Sequence, residues 1–298
     1  MHARIKGGTF IALLCVLLLI SPALHAATVL VQDDAGHAVK LSTPARRILS
    51  LAPSTTELLF AVGAGAYVMG VVDYSNYPPQ ASQLPSVGSA AALDMERIVA
   101  LQPDLIVAWR SGNSAAQIAR LRALHFTVFE SEPRDFAAIA TNMERLAHLA
   151  GTDAIGHAAA EAFRTHQRQL AQTYSRRAPV RVFYQIWDKP LMTLNDSHMA
   201  SAVIRLCGGV NIFGKLGPLA PTVGLEAVMQ ADPEAIIDDS KATSTANSSW
   251  QRFPHMTAVA RGNVFAINPD WMSRPGPRVL DGAEALCRDL ESVRARRK

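Results

Sequence analysis

The chain has 298 residues, 49% hydrophobic and 18% charged, with a formal net charge of +4. That length exceeds one typical domain, and that composition excludes a disordered chain. Arg4 and Lys6 are the only charges in residues 1–26, so 29 basic residues less these two, against 25 acidic, leave +2, which excludes a nucleic-acid binder on electrostatic grounds.

Residues 1–26 read as a signal peptide. Arg4 and Lys6 form its positive start, Phe10 to Ile20 its apolar run, and Ala23-Leu24-His25-Ala26 its cleavage end. The run is too short to cross a bilayer of about 30 Å as a helix. Cys15 sits mid-run among Leu and Val, away from any lipidation site. The product is expected to be exported after cleavage near Ala26.

Arg47-Ile48-Leu49-Ser50 predicts an opening strand. Ser54 and Glu57 form an S-x-x-E capping signal for a helix through Leu58-Leu59-Phe60, ending at Gly63 and Gly65. Val68 to Val72 follows as an apolar stretch leading to Tyr74. Residues 95–107 read Met-Glu-Arg-Ile-Val-Ala-Leu-Gln-Pro-Asp-Leu-Ile-Val: a short amphipathic helix, Pro with an acid, then a buried strand. Thr127-Val128-Phe129 predicts a later strand. Glu144 and His148 share a helix face and read as an exposed pair rather than a metal site.

From Asp153 to Arg177 there is no Pro and no Gly after Gly156, and Ala159, Phe163, Leu170 and Tyr174 recur at helical spacing. A helix of about 25 residues would be roughly 37 Å long, enough to link two lobes with little hinge closure. His157 and His166 read as exposed polar residues on it.

The pattern then returns. Arg181-Val182-Phe183-Tyr184 opens it, and Gly208-Gly209 end its first helix. Residues 225–237, Leu-Glu-Ala-Val-Met-Gln-Ala-Asp-Pro-Glu-Ala-Ile-Ile, align with 95–107 without a gap, and Val264-Phe265-Ala266-Ile267 closes it. Four echoes in one order imply two similar α/β lobes with mostly parallel sheets, spanning 27–152 and 178–298 and joined by one long rigid helix over 153–177. Arg294, Arg296, Arg297 and Lys298 read as a solvated tail.

No G-x-S-x-G elbow, P-loop, H-E-x-x-H or Gly-rich dinucleotide loop is present, so no catalytic residue, resident metal or cofactor is assigned. Haem or metal ligation by His198, His255 or a tyrosine stays open. After export Cys207 and Cys287 are the only cysteines, and an even pair in an oxidising compartment reads as a disulfide. It would close a loop of about 80 residues, worth roughly 4–5 kcal/mol by chain entropy. Two free buried thiols are the alternative.

Trp109, Trp187 and Trp271 each follow a predicted strand, as does Tyr74, and parallel sheets place ligands beyond the carboxyl ends of their strands. With Asp270, Ser273 and Arg274 these aromatics suit a large amphipathic ligand with an apolar ring and amide edges. Local loop packing is the alternative. Glu96 and Glu226 occupy one repeat position near their helix starts, with Asp94 and Thr222 as candidate caps. They either complement the helix dipole, at about 0.3–1 kcal/mol, or form a pseudo-symmetric pair that docks on arginines of a two-fold partner.

Several segments resemble the periplasmic cobalamin-binding proteins of bacterial ABC importers. These belong to a helical-backbone class that also includes siderophore and haem receptors. The segments are Tyr74-Ser75-Asn76-Tyr77-Pro78-Pro79-Gln80, Met95-Glu96-Arg97-Ile98-Val99-Ala100-Leu101, Ala108-Trp109-Arg110-Ser111-Gly112-Asn113, Leu206-Cys207-Gly208-Gly209, Asp270-Trp271, Pro277-Arg278 and Cys287. The resemblance runs from about Arg46 to about Leu290 and implies a monomeric periplasmic protein that holds a corrinoid between two lobes, without chemistry. It implies corrinoid contacts at Tyr74 and at Asp270, Trp271, Met272, Ser273 and Arg274. It also implies permease docking at Glu96 and Glu226, and a Cys207–Cys287 disulfide. A tryptophan expected near the cleft is replaced within Ser89-Ala90-Ala91, and Met272-Ser273 stands where an aromatic–acid pair is expected. A haem or ferric-siderophore binding protein of the same fold is the first rival, and a periplasmic enzyme on this scaffold the second.

Overall fold

A computed structural model of the chain describes residues 28–239 and 249–297, together with His2. The expected signal peptide, with Cys15 and the cleavage end at Ala26, lies outside the described residues, as does Lys298.

A hairpin of β1 (Val29–Gln32) and β2 (Ala38–Leu41) leads in. The first sheet then alternates strand and helix: β3 (Ile48–Ser50), α1 (Pro53–Ala61), β4 (Val68–Val71), α2 (Met95–Leu101), β5 (Leu105–Trp109), α3 (Ala115–Ala123) and β6 (Val128–Ser131). Helices α4 (Phe136–Ala150) and α5 (Asp153–Tyr174) lead to the second sheet. It is built from β7 (Val180–Gln185), a small hairpin of β8 (Trp187–Asp188) and β9 (Leu191–Met192), α6 (Met199–Leu206), β10 (Gly209–Asn211), α7 (Leu225–Ala231), β11 (Ala235–Asp238), α8 (Thr257–Ala260) and β12 (Val264–Ala266). The chain ends with α9 (Pro269–Met272) and α10 (Val279–Ala295).

Both four-stranded sheets are parallel and share one topology. The orders are β4-β3-β5-β6 and β10-β7-β11-β12, so each first strand lies between the second and third, with the fourth outside the third. Helices cover both faces, which is why Leu105–Ala108 and Ala235–Asp238 are buried without alternation. The ungapped echo has a backbone cause. Gln102 (φ 46°) and Asp232 (φ 39°) end α2 and α7 in the left-handed region, each directly before a proline that cannot continue the helix. The protein is thus two similar α/β lobes joined by one long helix.

That helix, α5, has 22 residues and stops at Tyr174, three short of the expected end. At about 1.5 Å per residue it is roughly 33 Å long. It packs along α4 on one side and against α6 and α10 on the other. Gly156 permits the first contact: a Cβ there would sit 2.1 Å from the Ala147 Cβ.

Several expected pairings differ in the fold. Glu144 meets Arg164 of α5 through two 2.7 Å bonds, which hold its carboxyl below the ordinary range, and His148 meets Asp153 at 2.8 Å. His166 is half-buried and bonds Glu284 of α10 at 2.7 Å, tying the long helix to the second lobe. The arginines read as a tail are docked instead. Arg294 donates to the carbonyls of Ala178, Cys207 and Gly208, Arg296 to Gly262, and Arg297 to Pro179 and Glu234. A terminal helix buried on one face, with its last-turn cations on free carbonyls, is the physical reason. Cys207 at the end of α6 is joined to Cys287 of α10, so the free-thiol alternative falls.

The S-x-x-E signal does not cap α1 either. The helix begins at Pro53, and the Thr55 hydroxyl accepts the Ala52 N–H at 3.2 Å. Ser50, Thr55, Thr56 and Ser75 share a buried chain of hydroxyl contacts at 2.7–3.2 Å. Glu57 is thereby free to point away, toward the other lobe.

Candidate functional site

A cleft of about 240 Å³ opens between the lobes, beyond the carboxyl ends of β5 and β6. Trp109, Glu132 and Arg134 form its wall on the first lobe; His198, Leu219 and Ser273 form the facing wall. The volume lies below the usual range of about 300–1,000 Å³ for enclosed small-molecule sites. A bulky ligand would therefore rest partly on the rim.

Trp109 owes its position to the residues that follow it. The Asn113 side-chain oxygen accepts the Trp109 N–H at 2.7 Å, and its amide donates to the carbonyls of Leu51 at 2.9 Å and Ala90 at 2.8 Å. Asn113 is buried, so one side chain joins three loops at the sheet edge. The indole lies flat over Gly112, where a Cβ would fall 1.7 Å from the ring. The Trp-Arg-Ser-Gly-Asn motif is thus a mount that presents an aromatic face. Asn113 was legible only as part of a motif, with no sign of its supporting work.

Of the other expected contact residues, Ser273 joins Trp109 in the cleft wall. Tyr74 stands on the loop after β4, 81% exposed and in the left-handed region at φ 65°. Trp271 is half-buried on α9. Trp187 is 54% exposed on the β8–β9 hairpin, its indole N–H donating to the Lys189 carbonyl, and is not among the residues lining the cleft. Met272 departs from expectation: its side chain is fully buried against Gly282 of α10, because α9 turns its single apolar face to the core. Arg274 faces the first lobe. Its guanidinium is engaged by Asp270 at 2.8 Å, Glu57 at 3.2 Å, Asn76 at 2.8 Å and the Tyr74 carbonyl at 3.3 Å, leaving its side chain 12% exposed.

Beneath Ser273 lies a buried carboxyl. Asp239 accepts from the Tyr184 hydroxyl at 2.7 Å and from Ser273 at 3.3 Å, and burial lifts its pKa to about 7. Burial lowers His198 to about 4, so this cleft imidazole is neutral at pH 7. Its Nδ1 accepts the Ala200 N–H at 3.1 Å, which places the ring proton on Nε2. A metal ligand at Nε2 would need the opposite tautomer, so His198 is poised as a donor and not as a haem ligand. His255 lies elsewhere, in a groove with Met229 and Phe253. Among the described residues one cluster, Asp33, His37 and Glu130, has metal-type donors within reach of one another. The Arg122 guanidinium already occupies it, 2.5 Å from Glu130, and both Asp33 oxygens accept backbone N–H groups.

Glu96 and Glu226 sit in the first turns of α2 and α7, at equivalent places in the repeat. Both are exposed, and among the described residues neither carboxylate has a hydrogen bond or ion pair. The burial pattern along residues 94–100 repeats over 224–230, and it leaves Val99 (44%) and Met229 (43%) exposed beside the two glutamates. Asp94 caps α2, accepting the Arg97 N–H at 3.0 Å. Thr222 does not cap α7; the helix starts after Gly224, and Thr222 bridges to Met192.

Comparison with known proteins settles the family. The profile described as periplasmic binding protein matches residues 48–271. The chain belongs to that family. It is 40% identical over 250 residues to the vitamin B12-binding protein of Vibrio cholerae, covering 83% of this chain and 90% of that protein. It is 38% identical over 249 residues to the vitamin B12-binding protein of Yersinia pestis, covering 84% and 88%. The crystal structure of the periplasmic vitamin B12 binding protein BtuF of Vibrio cholerae superposes with a TM-score of 0.79 at 38% identity, over 84% of this chain and 98% of that one. The haem-binding periplasmic binding protein BhuT, in complex with two haems, superposes at 0.75 with 20% identity, over 83% and 98%, which shows a shared fold alone. These relatives are binding proteins.

Proposed function

We propose that this periplasmic binding protein captures cobalamin or a related corrinoid between its lobes and delivers it to an ABC transporter permease. The observation that carries the reading is the aromatic mount at Trp109 in an inter-lobe cleft of a chain 40% identical to a vitamin B12-binding protein. Trp109, Trp271 and Tyr74 offer apolar faces to the macrocycle, while Ser273, Asp270 and the His198 Nε2–H meet its amide edge. Trp187, exposed on its hairpin, is proposed to make a rim contact. The ligand is cargo, and no side chain is assigned a catalytic role.

Glu96 and Glu226 are proposed to dock on a two-fold permease dimer, with the protein acting as a monomer. Their matched exposure, and the absence of a partner for either among the described residues, support this over a dipole role alone, since the dipole needs no such symmetry. The signal peptide is proposed to be removed near Ala26.

Purified protein incubated with cyanocobalamin, haem or a ferric siderophore, then desalted, separates the readings by absorbance spectrum. Retention of cyanocobalamin near one equivalent is expected. Retention of haem or the siderophore with no cyanocobalamin would overturn the corrinoid assignment.

A further inference from the structure

Glu57 lies on α1 in the first lobe, with its side chain 2% exposed. Its carboxylate accepts from Arg278 Nε at 2.9 Å and Nη2 at 2.5 Å, and from Arg274 Nη1 at 3.2 Å. One buried acid of the first lobe therefore holds two guanidiniums of the second. Asp270 supplies the other negative charge, 2.8 Å from Arg274.

Both arginines reach back to the first lobe. Arg274 donates to the Asn76 side-chain oxygen at 2.8 Å and to the Tyr74 carbonyl at 3.3 Å, and Arg278 stacks over the Tyr77 ring at 4.0 Å. The turn over residues 74–77 is thus gripped near both ends by side chains that converge on Glu57. Tyr74 needs the grip. A tyrosine at φ 65° is disfavoured by Cβ sterics, and its ring, 81% exposed, has little packing to hold it there. Such a backbone persists only where its surroundings over-determine it. Here the surroundings are the Thr56–Ser75 hydroxyl contact below and Arg274 above.

A buried ion pair is weak support for stability by itself, since well-packed apolar groups do as well; its distinctive use is to fix one arrangement. We infer that Glu57 is a positioning residue for cargo capture, fixing the turn that carries Tyr74 through Arg274 and Arg278. This rests on the corrinoid reading for its consequence, and on geometry alone for its mechanism.

The test has a ligand-free arm and a ligand arm. In the unliganded protein, Glu57→Gln should speed amide hydrogen exchange at Ser75 and Asn76, whose N–H groups bond the Val72 and Tyr74 carbonyls, by about tenfold or more, with the β5 amides unchanged. Asn76→Ala, a surface change that will fold, should do the same to a smaller degree and stands in if the first variant does not fold. In cyanocobalamin titrations Glu57→Gln should weaken binding by about tenfold, yet by less than about twofold in a Tyr74→Ala background. Unchanged exchange in the turn overturns the inference, as does an undiminished Glu57 effect when Tyr74 is absent. A wild-type protein that does not bind cyanocobalamin removes the corrinoid reading instead, and the exchange arm still decides the positioning role.

Discussion

Gly112→Ala should weaken ligand capture far more than it weakens the fold. A Cβ at this position would lie 1.7 Å from Trp109 Cε3 and 2.2 Å from Cζ3, whereas ordinary contact begins at 3.4 Å. The indole must retreat by about 1.7 Å, and the β5 backbone cannot follow because Asn113 anchors the Trp109 N–H and two further loops. The open direction is the cleft, where the ring is half-exposed. Folding then loses about 1 kcal/mol, the low end of overpacking, because the ring is free to swing. Binding loses the flat face. A buried aromatic contributes 150–250 Å², and losing about 80 Å² of contact at about 25 cal/mol/Å² is worth about 2 kcal/mol, or about 30-fold in Kd. Calorimetric titration with cyanocobalamin and urea denaturation read the two quantities separately. In a Trp109→Ala background the same glycine change should cost almost nothing. A folded Gly112→Ala protein that binds as tightly as wild type would refute the mounting role of the motif.

Reversing both Glu96 and Glu226 to Arg should abolish uptake in vesicles carrying the permease while leaving corrinoid affinity unchanged; equal loss of both, in a folded variant, argues against separate roles. Cys287→Ser should lower unfolding stability by about 2–5 kcal/mol, and in urea titrations a reductant should lower wild-type stability by the same amount but leave the variant unmoved. Asp239→Asn tests the buried carboxyl. Its pKa rises from 3.8 to about 7 on folding, so the folded state keeps a proton that the unfolded state releases, and stability falls as pH rises from about 4 to about 7. Asparagine preserves the acceptor for Tyr184, so the variant should gain up to about 4 kcal/mol over wild type at pH 8 and almost nothing at pH 4. An equal difference at both pH values would show that Asp239 does not titrate in this range.

The repeat was legible because it is written in local physics. Residues 95–107 and 225–237 place an amphipathic turn, a proline stop and a buried strand at the same spacing, and each of those is decided by neighbours in the chain. The disulfide was legible because the expected loss of residues 1–26 leaves two cysteines and few alternatives. Glu57 was misread for the complementary reason. S-x-x-E is a local signal, but the threonine hydroxyls satisfied the helix start, and the carboxylate was claimed by arginines 217 and 221 residues away. Arg274 and Met272 show the same limit: they adjoin Ser273, which faces the cleft, yet one turns to the other lobe and one to the core. Adjacent residues at the end of one short helix cannot all point at the same ligand. A family motif therefore marks a neighbourhood, while the division of work within it, between faces that touch cargo and charges that hold those faces, is set by contacts the chain makes only once both lobes are in place.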